Sequence, residues 1–152
     1  MGRKSGQIAI AVALASGAEE VMVPEHEYNI ERIADRLKKG HQRGKRFSII
    51  IVAEGAGPGA LEISKQLKDD YDLDTKVAIL GHIQRGGTPT AYERLMATQM
   101  GAKTYQFFKD GLNRVFCSFQ EGELRPVPLE VTQEKVRTID PDLITILRSL
   151  GN

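Results

Sequence analysis

Residues 77–89, VAILGHIQRGGTP, decide the fold. The apolar run Val77–Leu80 gives way abruptly to Gly81, His82, Arg85 and the pair Gly86-Gly87. A short apolar run bounded by turn residues has the pattern of a buried strand, and Thr88-Pro89 that of the N-cap and first turn of a helix. His82, Gln84 and Arg85 are therefore expected in the turn between them. In an open parallel sheet, ligands gather at the carboxyl ends of the strands, where loops enter helices and free N–H groups favour anions. A plain glycine-rich turn, its polar side chains merely decorative, has the same signature.

Outward from this stretch the chain alternates short apolar runs with helical patterns. Residues 4–16 read as a helix rich in small residues, and Val21–Val23 as a strand closed by Pro24. Asn29 can cap a helix whose apolar face is Ile30, Ile33, Ala34 and Leu37, with Gly40 as its stop. Phe47–Ala53 is a continuous run without polar alternation, the mark of a strand buried on both faces. A helix over Ala60–Leu67 leads to the strand Val77–Leu80. The pattern βαβαβ implies a parallel sheet with right-handed crossovers. A long helix follows over about 89–109, with Leu95 and Phe108 on an apolar-to-aromatic face. Arg114–Phe119 and Leu124–Val127 read as two strands joined through Gln120–Glu123. Pro126 and Pro128 restrict the second to an edge, and Asp140-Pro141 open a last helix through Leu147.

The bulk properties narrow the function. With 152 residues, 41% of them apolar and 27% charged, the chain has the composition of an ordinary globular protein. A net charge of +1 offers no electrostatic reason to expect nucleic acid. No apolar run approaches the length of a membrane span. The single cysteine, Cys117, excludes an intramolecular disulfide and fits a reducing, cytoplasmic setting. Arg3-Lys4, the run Ile8–Ala15 and the small residues after it mimic a secretory signal. A myristoylation signal fails because Gly6 stands where Ser or Thr is required. Gly55-Ala56-Gly57-Pro58-Gly59 brushes against a dinucleotide fingerprint, but the spacing is wrong and Pro58 intrudes, so it reads as a loop positioning Glu54.

LGHIQRGGTPTAYERLMA, the opening MGRKSGQIAIAVALASGAEEVMVPE and KRFSIIIVAEG together resemble bacterial-type 6-phosphofructokinases. The likeness covers nearly the whole chain, in the family's order, and corresponds to roughly the C-terminal half of such an enzyme. It implies an α/β, three-layer Rossmann-like parallel sheet with flanking helices, plus a C-terminal helix and β-hairpin that complete the other lobe. The implied segments are a sugar-phosphate and effector domain over 1–82, a helix-and-hairpin segment over 83–133 that packs on the absent nucleotide-binding lobe, and a helix over 134–152 returning to the first domain. The implied activity is a cytoplasmic, glycolytic transferase, a kinase passing phosphate from magnesium ATP to fructose 6-phosphate. The glycine-rich nucleotide loops and the catalytic base fall in the other half, so this chain alone is expected to be inactive. The assembly implied for the complete enzyme is a homotetramer that includes the missing N-terminal half.

A sugar-phosphate site needs cations for the phosphate and acceptors for hydroxyls, fixed on rigid strand ends. By resemblance, Met1, Gly2, Arg3, Glu54, Lys76, His82, Ile83, Gln84 and Arg85 form the substrate site, and Arg3 also lies near the transferring phosphoryl group, where a guanidinium stabilises developing charge. Lys76 replaces the family's arginine, keeping the charge but losing the bidentate fork. Arg36, Lys38, Lys39, Arg43, Lys45 and Arg46 place six cations in eleven residues. Arg36–Lys39 suit a solvated helix C-terminus. Arg43, Lys45, Arg46 and Phe47, opposite Gly17, Ala18 and Glu19, match the family's effector site for ADP or phosphoenolpyruvate. No metal ligands are expected in this chain. The competing reading is a free-standing, non-catalytic regulatory module that senses phosphate ligands.

Overall fold

The computed structural model describes residues 3–134 and 139–150; Met1 and Gly2 lie outside them. The chain forms two units, residues 1–84 with 138–152 and residues 85–137.

The first unit is built on two parallel strands, β1 (Glu20–Met22) and β2 (Ile50–Val52), in the register Glu20↔Ile50, Val21↔Ile51, Met22↔Val52. Helix α1 (Gln7–Ser16) precedes them, α2 (Ile30–Gln42) connects them and α3 (Ala60–Tyr71) follows. A further helix, α6 (Pro141–Leu150), closes the unit by packing on α1 and β1, while α2 packs on α3. The mixture of parallel strands and crossover helices is an α/β fold. Its core joins Ile10 and Ala13 of α1, Val21 and Met22 of β1, Ile33, Ala34 and Leu37 of α2, Ile63 and Leu67 of α3, and Ile144 and Leu147 of α6. Each large apolar side chain so buried contributes about 1.5–3 kcal/mol.

Helix α2 follows from its sequence almost residue by residue. Asn29 Oδ1 accepts from the Arg32 N–H at 2.8 Å, satisfying an orphan donor of the first turn. Of the predicted apolar stripe, Ile33, Ala34 and Leu37 are buried while Ile30 is half-buried against the same core. Its end differs. Gly40 is buried inside the helix rather than stopping it, and the left-handed residue is Gly44, φ +87°. Helix α1 begins at Gln7, because Gly6 turns the chain against Val23: a Cβ there would lie 2.2 Å from Val23 Cγ1. The Glu25 carboxylate accepts from the Gly6 N–H at 2.9 Å.

The expected third strand is corrected. Residues 77–80 have no ladder partner among the described residues, and Ile79 is 72% exposed. Hydrophobicity marks a segment that wants a neighbour, but a strand exists only where a second backbone supplies hydrogen bonds. The same cause limits β2. Only Ile50–Val52 of the Phe47–Ala53 run pair, all three are half-buried rather than enclosed on both faces, and Phe47 is 75% exposed.

The second unit contains α4 (Ala91–Lys109), the antiparallel hairpin of β3 (Val115–Gln120) and β4 (Glu123–Pro128), and the short α5 (Val131–Glu134). The N-cap of α4 is Thr90, not Thr88. Its hydroxyl accepts from the Glu93 N–H at 3.2 Å while the Glu93 carboxylate accepts from the Thr90 N–H at 2.6 Å. The reciprocal bond decides this. Three residues beyond Thr88 stands Ala91, which has no side-chain acceptor to return. Glu121 and Gly122, both at positive φ, form the two-residue hairpin turn, a conformation whose twist matches the flanking strands. Tyr92, Leu95, Tyr105 and Phe108 of α4 are exposed, whereas Phe107 is buried.

Candidate functional site

Two groups of the predicted residues come together in the first unit. Arg3 and Glu54 are distant in sequence, yet Arg3 Nε donates to Glu54 Oε1 at 3.0 Å. Glu54 lies two residues beyond the end of β2, and the intervening Ala53 N–H still donates to the Met22 carbonyl at 2.9 Å, so the sheet holds its backbone. Arg3 is placed by the loop after it: a Cβ on Gly55 would sit 1.8 Å from the Arg3 carbonyl oxygen, so only glycine lets the two backbones touch. Both side chains are largely exposed, which leaves the pair open to an incoming ligand.

The remaining substrate candidates have a different setting. His82, Ile83, Gln84 and Arg85 lie in the 3-10 turn Gly81–Arg85, in which no residue is buried, and Lys76 is exposed on the extended segment before it. Gly81 adopts a left-handed φ of +56°, which turns the chain into the 3-10 segment. The division between the two units falls after Gln84, so Arg85 belongs to the second.

The effector candidates form the second group. Gly17 ends α1 with φ +67°, and the Ala18 N–H donates to the Ala13 carbonyl at 2.9 Å, turning the chain so that Glu19 meets the segment before β2. Glu19 is 8% exposed. Its Oε2 accepts from the Ile49 N–H at 2.6 Å, and its Oε1 lies 3.5 Å from Lys45 Nζ. Arg43 caps the C-terminus of α2 and is exposed, as are Arg46 and Phe47. Glu19 therefore already carries two internal contacts. A phosphate seated on Lys45 would compete with that carboxylate for the same ammonium group.

One cluster escaped the sequence reading. Glu20, 2% exposed, is surrounded by Arg36 Nη1 at 3.6 Å, Arg148 Nε at 3.7 Å and Arg32 Nη2 at 3.8 Å. The available signals were a glutamate inside an apolar strand and two arginines spaced i, i+4 on one helix. Nothing in the sequence pointed to Arg148.

Comparison with known proteins agrees with this architecture. The sequence profile described as phosphofructokinase matches residues 1–108. The chain belongs to the phosphofructokinase family. It is 43% identical over 151 residues to the ATP-dependent 6-phosphofructokinase of Natranaerobius thermophilus and 39% identical to that of Bacillus subtilis, in each case covering 99% of this chain and 47% of the relative. The chain thus spans about half the length of the curated relatives it matches. Among solved structures, it is similar to Pichia pastoris phosphofructokinase in the T-state, with a TM-score of 0.75 and 30% identity over 99% of this chain and 18% of the other. It is also similar to Saccharomyces cerevisiae phosphofructokinase, with a TM-score of 0.79 and 30% identity over 88% of this chain and 19% of the other.

Proposed function

We propose that this chain supplies the sugar-phosphate and effector contacts, corresponding to the C-terminal portion, of an ATP-dependent 6-phosphofructokinase, which phosphorylates the 1-hydroxyl of fructose 6-phosphate. The observation that carries the reading is the Arg3–Glu54 pair, which closes across 51 residues of sequence on a chain of this family. In the proposed reaction the Glu54 carboxylate accepts from sugar hydroxyls. Arg3, oriented by its Nε–H bond to Glu54, directs further guanidinium donors at the phosphoryl group, where fixed positive charge lowers the barrier. His82 and Arg85 would engage the 6-phosphate, Lys76 would reach the substrate phosphate of a neighbouring subunit, and magnesium ATP would be the phosphoryl donor to the 1-hydroxyl. Among the described residues no group of three or more His, Cys, Asp or Glu side chains is placed to hold a metal ion. The nucleotide and its magnesium ion would be bound mainly by the remainder of a complete enzyme. That enzyme would be a homotetramer. Among the described residues no helix is long and apolar enough to cross a membrane.

Regulation is the second part of the proposal. Gly17, Ala18 and Glu19 would face Arg43, Lys45, Arg46 and Phe47 across a site for ADP or phosphoenolpyruvate. Binding there is electrostatic and weakens with salt.

A coupled phosphotransfer assay tests the reading. The chain alone should be inactive, and adding the nucleotide-binding portion of a relative should restore turnover that Glu54→Gln abolishes. Turnover unaffected by that substitution would remove Glu54 from the site.

A further inference from the structure

Glu20 has no role in the chemistry proposed above, yet it is the most deeply buried charge among the described residues of the first unit. Three guanidinium groups converge on it at 3.6–3.8 Å, beyond ordinary hydrogen-bond length, and its Oε2 and Arg148 Nε are buried without a hydrogen-bond partner. Apart from a long bond that its Oε1 accepts from the Val21 N–H at 3.4 Å, the carboxylate is held by charge. A desolvated charge so held responds to any movement of its partners, because little dielectric screening separates them.

The three arginines come from two elements. Arg32 and Arg36 belong to α2, and Arg148 to α6, whose Ile144 and Leu147 seal the same core. Arg36 also reaches beyond Glu20: its Nη1 donates to the Glu19 carbonyl at 3.0 Å. The contacts are therefore continuous. They run from Arg148 on α6 to Glu20, from Glu20 to Arg36, from Arg36 to the Glu19 backbone, and from the Glu19 carboxylate to the Ile49 N–H and to Lys45.

We infer that Glu20 is the positioning residue of the Glu19–Lys45 cluster, and that the docking of helix α6 is transmitted to that cluster through Glu20 and Arg36. Taking this cluster as an effector site rests on the reading proposed above; the mechanical link between α6 and Glu19 does not. With Arg148 in place, the Glu20 charge is shared among three cations and Arg36 holds the Glu19 carbonyl. Without Arg148, Arg36 and Arg32 draw Glu20 toward α2, and the Glu19 carbonyl loses its fixed donor. Without the Glu20 charge, the Arg36 guanidinium loses the ion pair that fixes it, and with it the Glu19 carbonyl loses its fixed donor. By reciprocity, an anion that draws Lys45 away from Glu19 loosens α6.

The test follows the Ile49 amide by NMR hydrogen exchange in the whole chain. Arg148→Met and Glu20→Gln should each speed exchange at Ile49 by about fivefold or more. Arg148→Lys, which keeps the charge, should restore the slow rate. Ile146→Ala, a change on the exposed side of α6, is the control for general loosening of that helix and should leave Ile49 unchanged. In the double variant Arg148→Met/Lys45→Met, the two effects on Ile49 should fail to add. Unchanged Ile49 exchange in Arg148→Met overturns the inference, as does acceleration spread evenly over the unit and not rescued by lysine. An ADP titration of the wild-type chain separates the two readings. If ADP does not bind while Ile49 responds to Arg148→Met, the effector assignment fails and the coupling stands. If ADP binds and Ile49 does not respond to Arg148→Met, the coupling fails and the effector assignment stands.

Discussion

Adding one methyl group at Gly55 should separate the two residues on which the proposed substrate site depends. The Cβ of Gly55→Ala would lie 1.8 Å from the Arg3 carbonyl oxygen and 2.6 Å from its carbonyl carbon. Relaxed contacts lie near 3.5 Å, so the Arg3 backbone must retreat by roughly 1.5–2 Å. Gly55 has no left-handed φ, so alanine meets no torsional strain and the cost is this collision alone. Arg3 is exposed and makes its described pairing with Glu54, so the segment can swing outward. The pair itself stabilises the fold by only about 0–1 kcal/mol, being solvent-screened, and thermal unfolding followed by far-UV dichroism should shift little. The site should suffer far more. A retreat of that size breaks the 3.0 Å bond, and losing one charged contact costs about 1.5–3 kcal/mol, or roughly a 10- to 100-fold loss of fructose 6-phosphate affinity. Gly101→Ala is the control: it sits inside α4 with nothing within 4 Å, and should stabilise by about 1 kcal/mol through helix propensity. Sugar-phosphate affinity unchanged in Gly55→Ala, measured by chemical-shift titration, would refute the reasoning.

Further outcomes follow from the packing and the charges. Leu67→Ala, at a side chain 1% exposed in the core, should lower the stability of the first unit by about 2–5 kcal/mol in urea unfolding. The Glu93 carboxyl is held below its ordinary range, first by the Thr90 backbone N–H and then by the Thr90 side chain. The α4 cap is therefore fully present above the ordinary glutamate range and is lost as pH falls through the depressed value. Helical signal from the start of α4 should fade at acid pH in the wild type, and Glu93→Gln should flatten that response. Lys45→Ala should weaken ADP and phosphoenolpyruvate binding about tenfold without altering far-UV dichroism, and binding by the wild type should fall with added salt. An unchanged affinity would leave the basic cluster a solvated face.

The parts of this fold legible in the sequence are those whose cause is local. Asn29 with its i, i+3, i+4, i+7 stripe specified α2 because cap and buried face lie within one segment. The hairpin around Glu121-Gly122 was visible for the same reason. Residues 77–80 were misread because apolar character records a need for burial and not the element that meets it. The start of α4 was misplaced because Thr88-Pro89 has the pattern of an N-cap and first helical turn, whereas the reciprocal Thr90–Glu93 bonds set the cap two residues later. Of the candidate site, the residue types were legible from family motifs, whereas the Arg3–Glu54 contact, closed across 51 residues of sequence, was not. The Glu20 cluster was not legible, because its third cation arrives from α6, more than a hundred residues away. Such a long-range charge contact leaves no periodic trace in the sequence.

The most direct test of the central claim is a calorimetric titration of the chain with fructose 6-phosphate, beside Glu54→Gln and Arg3→Met. The account predicts saturable binding by the wild type, weakened about tenfold or more in each variant, with far-UV dichroism unchanged. Binding of equal strength in all three proteins would contradict it, as would a wild-type chain that is folded by dichroism and takes up no sugar phosphate.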